Sequence, residues 1–153
     1  MPVTACTERD SPHADVAVSA ADVEFLERFE NCVLPEEEWT HLAHLRIAWT
    51  CFNLDPADAA LERIRAGILR YNTKVLGRPH KYHETVTVAF ARLVNDRMRR
   101  KEPWQAFSQR IDDLLDADSP VLLQYYSQAI LQSDVARQHF VPPDREPLPS
   151  IRH

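Results

Sequence analysis

The chain has 153 residues, 44% of them hydrophobic and 27% charged, with 18 basic against 23 acidic residues and a formal charge of −5. A chain of this length buries about 68–70% of the surface its unfolded form exposes, so one domain can build its core without disulfides, and any bound metal would serve function rather than folding. The acidic balance, with no basic stretch longer than Arg99, Arg100 and Lys101, excludes nucleic acid as a partner, and no apolar run approaches the ~18 residues of a membrane span.

Two glycines against 11 prolines leave little for glycine-dependent hairpin turns. The expectation is an all-α, single-domain helical bundle of five to six helices. Residues 1–18 mix Thr, Asp, Ser, Pro and Ala without a period and read as a flexible arm; a helical domain follows over 19–140 and an extended proline-rich tail over 141–153. Within the domain, S-A-A-D from Ser19 reads as a capped helix start, with Val23, Leu26 and Phe29 at helical spacing and an end near Cys32. A second helix is expected from Pro35 or Trp39 to Phe52, with Glu36, Glu37 and Glu38 at its positive end. Asp55 and Pro56 predict a cap and first position for a third helix carrying Ala60, Leu61, Ile64, Ile68, Tyr71 and Val75, stopped by Gly77 and Pro79.

A fourth helix opens around Lys81 to Glu84 and runs through Val86, Ala89, Phe90, Leu93 and Val94, with Arg97 to Lys101 as a solvated end. Pro103 starts a fifth with Trp104, Phe107, Ile111, Leu114 and Leu115. Ser119 and Pro120 start a sixth through Leu122, Leu123, Tyr126 and Ile130, and a short turn over Ser133 to His139 follows. The tail V-P-P-D-R-E-P-L-P has four prolines in nine residues and is expected to wrap the domain or hang free. Met1 to Asp10 lacks the basic flank and apolar stretch of a signal peptide, which predicts a cytoplasmic protein. Cys6, Cys32 and Cys51 lack C-x-x-C spacing and read as structural thiols.

The richest segment for chemistry is Glu36 to Trp49. On a helix Leu42, Leu45, Trp49 and Phe52 share a core stripe, while His41, His44, Ala48 and Cys51 share the stripe beside it. Histidines three apart project about 60° from each other, close enough to ligate one ion or flank one pocket, and Ala48 leaves room for a ligand. The second segment, Arg78 to Thr87, places His80 and His83 at the start of the fourth helix, with His83 aimed toward the face of Val86 and Phe90. Side chains facing one another across a bundle commonly build metal sites, so His41, His44 and His83 are the candidate ligands of a divalent first-row transition metal, zinc or iron. Glu84 or Tyr82 would assist proton transfer, and Glu84 or Glu37 could complete the shell or act as a base.

Plainer readings compete with these. Glu84 and Glu36 to Glu38 suit helix dipoles, His80 lies outside the helix proper, Tyr82 and Tyr126 suit packing, and His44 can be a hydrogen-bonded core group. No G-x-S-x-G, P-loop, G-x-G-x-x-G or H-E-x-x-H pattern is present, and Glu38 with His41 forms only half of a di-iron pattern.

The motifs H-x-x-H-L-R-x-A-W (His41 to Trp49), K-Y-H-E-T-V-T (Lys81 to Thr87), Y-Y-S-Q-A-I-L-Q-S-D-V-A-R (Tyr125 to Arg137) and P-D-R-E-P-L-P (Pro143 to Pro149) resemble a family of small bacterial helical proteins to which no reaction is attached. The resemblance implies one domain of this length and no substrate. The architecture is also similar to DinB-type bundles, which hold a metal with three histidines at a different spacing. The expected function is thus a small metal-dependent enzyme, hydrolytic, lyase-like or oxidative, acting on a small molecule. The alternatives are a small-molecule-binding or sensor module, whose histidines hydrogen-bond an acidic or aromatic ligand, and a structural or partner-binding domain. The amphipathic helices permit a homodimer.

Overall fold

In the computed structural model, which describes residues 17–116 and 120–153, every regular element is helical. Helix α1 (Ala20–Glu30) starts on a full capping box: the Asp22 backbone N–H donates to Ser19 Oγ at 3.1 Å, and the Ser19 N–H donates to Asp22 Oδ2 at 2.9 Å. The other Asp22 oxygen accepts from Arg46 Nε at 3.1 Å and Nη2 at 2.7 Å, so the cap also ties α1 to α2 (His41–Leu54). Helices α3 (Ala57–Lys74) and α4 (Glu84–Arg97) complete the long elements, and α2 packs on α1, α3 and α4 at once. That central place explains why α2 buries Ala43, Leu45, Ile47, Ala48, Trp49, Thr50 and Cys51, nearly its whole circumference.

Several boundaries differ from expectation. Glu36–Glu38 form a separate 3-10 turn and α2 begins only at His41, because Thr40 is the stronger cap, its Oγ1 accepting from the Ala43 N–H at 3.2 Å. The break lets Trp39 turn inward, where its ring lies 4.6 Å from Phe29 and 5.0 Å from Tyr71. Leu42, expected in the core stripe, is 41% exposed. Asp55 does not cap α3: Arg63 draws its carboxylate at 3.0 Å while also gripping Glu30 at 2.7 Å, so Asp55 ends α2 and Pro56 takes the cap position.

The expected fifth helix shortens to α5 (Trp104–Ser108) and a 3-10 turn at Asp112–Leu114, and the expected sixth divides into a 3-10 turn (Pro120–Gln124) and α6 (Gln128–Leu131). Ser119, its expected cap, lies outside the described residues. The division has a cause in the tail. Tyr125 O accepts from the Arg145 N–H at 2.9 Å, and the Ser127 N–H donates to Asp144 at 2.7 Å, so the tail takes backbone groups that a continuous helix would pair internally. The expected turn at Ser133 is a short helix, α7 (Asp134–Gln138), capped by Ser133 Oγ.

The tail wraps the domain. The fully buried Tyr126 donates its hydroxyl to Val141 O at 2.6 Å, Leu148 enters the core, and the Arg152 guanidinium donates to the carbonyls of Asn95, Asp96 and Met98 at the end of α4. Arg97, expected to be solvated, donates to Asp113 at 2.6 Å. The expected arm falls outside the described residues except for Ala17 and Val18, which pack on the core. Among the described residues no helix is long and apolar enough to cross a membrane. Cys32 and Cys51 are free thiols and Cys6 lies outside the described residues; burial pushes the Cys51 thiol up to about 12, which keeps it protonated and inert.

Candidate functional site

Helices α2, α3 and α4, with the 3-10 turn Pro79–Lys81, enclose a pocket of about 210 Å³. Its apolar wall comes from Leu45 and Ala48 on α2, Ile64 and Ile68 on α3, and Val86, Phe90 and Ala91 on α4. His41, His44, Asn72, Lys81, Tyr82, His83 and Thr87 supply the polar part. Three expected site histidines and Tyr82 therefore border one space, as does the small Ala48. Glu84, His80, Glu37, Glu38 and Tyr126 do not line it.

The histidines differ in what they have left to offer. His41 Nε2 lies 2.7 Å from Leu114 O; a carbonyl can only accept, so Nε2 carries the proton and Nδ1 is the nitrogen without a partner among the described residues. The ring meets Phe90 edge-on with centroids 5.0 Å apart. His44 has the opposite tautomer, with Nδ1–H donating to Thr40 O at 2.7 Å and Nε2 left over. Trp39 stacks on it at 3.8 Å. Burial holds the His44 imidazole down at about 4, the Thr40 carbonyl works the other way, and His41 adds to the depression. His44 is neutral at pH 7 and presents a lone pair.

His83 has nothing left. It is the N-cap of α4, its Nδ1 accepting from the Val86 N–H at 3.1 Å, and its Nε2–H donates to Leu131 O at 2.8 Å. Burial lowers its pKa, with Leu131 opposing, so the ring is a neutral strut between α4 and α6. Histidine is a rare N-cap, which is why spacing alone reads it as an inward-facing side chain.

Glu84 is equally committed. It is 9% exposed, and both oxygens accept from Arg65 of α3, Oε1 from Nε at 2.7 Å, while Oε1 also accepts from the Tyr82 hydroxyl at 2.9 Å. The guanidinium holds the carboxyl below its ordinary range, and burial with the adjacent carboxylate pushes the Tyr82 phenol well up. An anionic Glu84 and a protonated Tyr82 thus lock together α3, α4 and the turn between them. Glu38 turns away from His41 to Arg28 at 2.9 Å, His80 is exposed, and Tyr126 anchors the tail.

The three expected metal ligands do not fit a common ion in this arrangement. His83 has both nitrogens in hydrogen bonds, and the His41 and His44 rings lie 6.4 Å apart between centroids. A zinc–nitrogen bond of about 2 Å plus about 1 Å to the ring centre spans about 6 Å even with the ion and both rings in line, and less in a tetrahedral site, short of that separation. Among the described residues no group of three or more His, Cys, Asp or Glu side chains is placed to hold a metal ion.

No family model, curated protein or solved structure matches this chain. What the pocket can do is therefore argued from its own atoms. Two of those escape a reading of the sequence. Asn72, on α3, is 7% exposed and lines the pocket, yet among the described residues its carboxamide has no hydrogen-bond partner. Lys81 is exposed at the pocket mouth, and no carboxylate among the described residues pairs with it. Asn72 sits among apolar neighbours in the sequence stripe of α3, and a buried polar residue inside such a stripe was the one available signal.

Proposed function

We propose that this domain binds a small molecule in the pocket between α2, α3 and α4, with the ligand's hydrogen-bond donors on His41 Nδ1 and His44 Nε2 and its polar edge on Asn72. The observation that carries the reading is that His41, His44 and Asn72, with polar atoms left over from hydrogen bonding among the described residues, border one largely apolar space that a ligand can fill. The low basicity of His44 favours a hydrogen-bond acceptor over a general base, which works best with a pKa near the operating pH. The test is ligand-observed NMR with a set of neutral, anionic and cationic single-ring compounds against the wild-type protein, Asn72→Leu and Ala48→Phe, each variant checked for folding by circular dichroism. Binding that disappears in Ala48→Phe and weakens in Asn72→Leu is expected. Binding unaffected by both, or no binding by any member of the set, overturns the reading.

A second reading keeps a metal-dependent enzyme in view, with zinc or iron drawing the His41 and His44 rings closer than their 6.4 Å separation here and the remaining positions filled by substrate or water. It is favoured by one observation: both rings donate their other N–H to a backbone carbonyl, the tie that usually orients metal-ligating histidines. Elemental analysis of protein purified without tag or chelator, beside His41→Ala and His44→Ala, decides it. Near-stoichiometric metal lost in both variants is expected on this reading, and metal-free wild type that takes up neither zinc nor ferrous iron on dialysis removes it.

A further inference from the structure

The pocket's polar groups fall into two kinds, and the division specifies a ligand. Acceptors come first: one N–H of each ring is committed to a carbonyl, on His41 to Leu114 and on His44 to Thr40, which leaves His41 Nδ1 and His44 Nε2 to receive a hydrogen bond. They suit a hydroxyl or N–H and repel a carboxylate oxygen. Positive charge comes second, and among the described residues Lys81 is its single full-charge source along the wall, because Arg65 is engaged by Glu84 and does not line the space. The N-terminal ends of two 14-residue helices, α2 and α4, border the same pocket and add partial positive charge of the same sign. One ammonium with two dipole ends matches a monoanion; a phosphate dianion usually takes several cationic partners or an arginine fork.

Size completes the description. An apolar cavity of about 150 Å³ holds benzene, so a space of about 210 Å³ takes one ring with one or two small substituents. The ring would lie against Phe90, Ile64 and Ile68.

Resting on the binding function proposed above, we infer that the ligand is a single-ring hydroxy acid or its N–H analogue, its carboxylate paired with Lys81 and its hydroxyl or N–H donating to His41 Nδ1 and His44 Nε2. The Asn72 carboxamide, a donor and an acceptor at once, bridges ring substituents to α3.

Three isosteric probes test the inference: 4-hydroxybenzoate, 4-hydroxybenzamide and benzoate, titrated calorimetrically at pH 7 into wild type, Lys81→Met and Ala48→Phe. Wild type should bind 4-hydroxybenzoate at least tenfold more tightly than either of the others. Lys81→Met should erase the advantage over the amide, since Lys81 supplies the charge that pairs with the carboxylate. Equal affinity for acid and amide in the wild type, both lost in Ala48→Phe, overturns the hydroxy-acid assignment and leaves the pocket standing. An acid preference that survives Lys81→Met overturns the role of Lys81. Failure of all three probes overturns the assignment, and the binding reading itself then stands or falls on the broader compound set.

Discussion

His44 carries its proton on Nδ1 because Thr40 O lies 2.7 Å away, and burial under Trp39 keeps the ring neutral. The consequence is a stability that depends on mild acid. The unfolded chain binds a proton at this residue as the pH falls through about 6.5, whereas the folded protein does so only near 4. The contribution is complete above 6.5, declines between the two values and is gone below about 4, with an upper bound of about 3 kcal/mol. His83, lowered by burial, acts in the same direction. His44→Phe keeps a ring on Trp39 and removes one of the two titrations, so urea unfolding between pH 4.5 and 7 should show a shallower loss of stability than wild type. An unchanged slope would mean that the folded state protonates His44 as readily as the unfolded chain does.

Glu84 shows how a plausible catalytic carboxylate becomes structural. Its pairing with Arg65 is largely sheltered on the acid side and more open on the guanidinium side, whose side chain is 33% exposed. Solvent screening limits the net value, and Glu84→Gln, which keeps the Tyr82 contact, should cost about 1–2 kcal/mol at pH 7. The pKa of Glu84 is lowered by folding, so this stability is present above the ordinary carboxylate range and is lost as the pH falls below it; the gap between variant and wild type should narrow as the pH falls below that range. The narrowing is read from urea midpoints at pH 7 and in acid.

At the scale of the element, the two glycines have separate reasons. Gly77 has φ +62° and ends the turn after α3, a geometry open to any observer of a glycine near a proline. Gly67 lies inside α3, where a Cβ would sit 2.7 Å from Phe29 Cε2. Phe29 is buried and stacked between Trp39 and Tyr71, so it cannot retreat. Gly67→Ala gains helix propensity and loses more to overpacking, for a net destabilisation of about 1–2 kcal/mol in thermal or urea unfolding. The cap of α4 offers a sharper comparison. His83→Asn preserves an N-cap acceptor and loses the link to Leu131, while His83→Ala loses both; the alanine variant should be less stable by about 1 kcal/mol more.

The elements that were legible in the sequence are those whose signals are local. Ser19 with Asp22, the apolar stripe of α3 and the approach of His41, His44 and His83 to one face all follow from spacing and capping chemistry. The short helices after Pro103 and the divided segment around Tyr126 were not legible, because their boundaries are set by partners far along the chain, Val141, Asp144 and Arg145. The same limit applied in the site. Spacing showed that His83 would meet the pocket wall, and only the carbonyl of Leu131, 48 residues away, shows that its second nitrogen is occupied.

For the whole molecule, the question is what a proline-rich tail does once it has wrapped a bundle. It grips the far end of α4: Arg152 reaches the carbonyls at residues 95, 96 and 98, and its backbone N–H donates to Asn95 Oδ1 at 2.7 Å. The pocket lies along the first half of that helix, from His83 to Ala91, and no residue of 141–153 lines it. A 14-residue helix is about 20 Å long, so the clamp and the pocket sit at opposite ends. Removing residues 147–153 strips Leu148 from the core and leaves the last carbonyls of α4 to water. The burial of one leucine and the charge-assisted bonds of one arginine together suggest a loss of about 2–4 kcal/mol. Tyr126 to Val141 and Asp144 to Ser127 remain, so the truncated chain should still fold cooperatively, with a lower urea midpoint and unchanged affinity for whatever probe the wild-type pocket binds. Equal midpoints would show that the clamp is dispensable. A lost affinity in a folded truncation would show that order at the end of α4 is transmitted along the helix to the site, because no tail residue reaches the ligand directly.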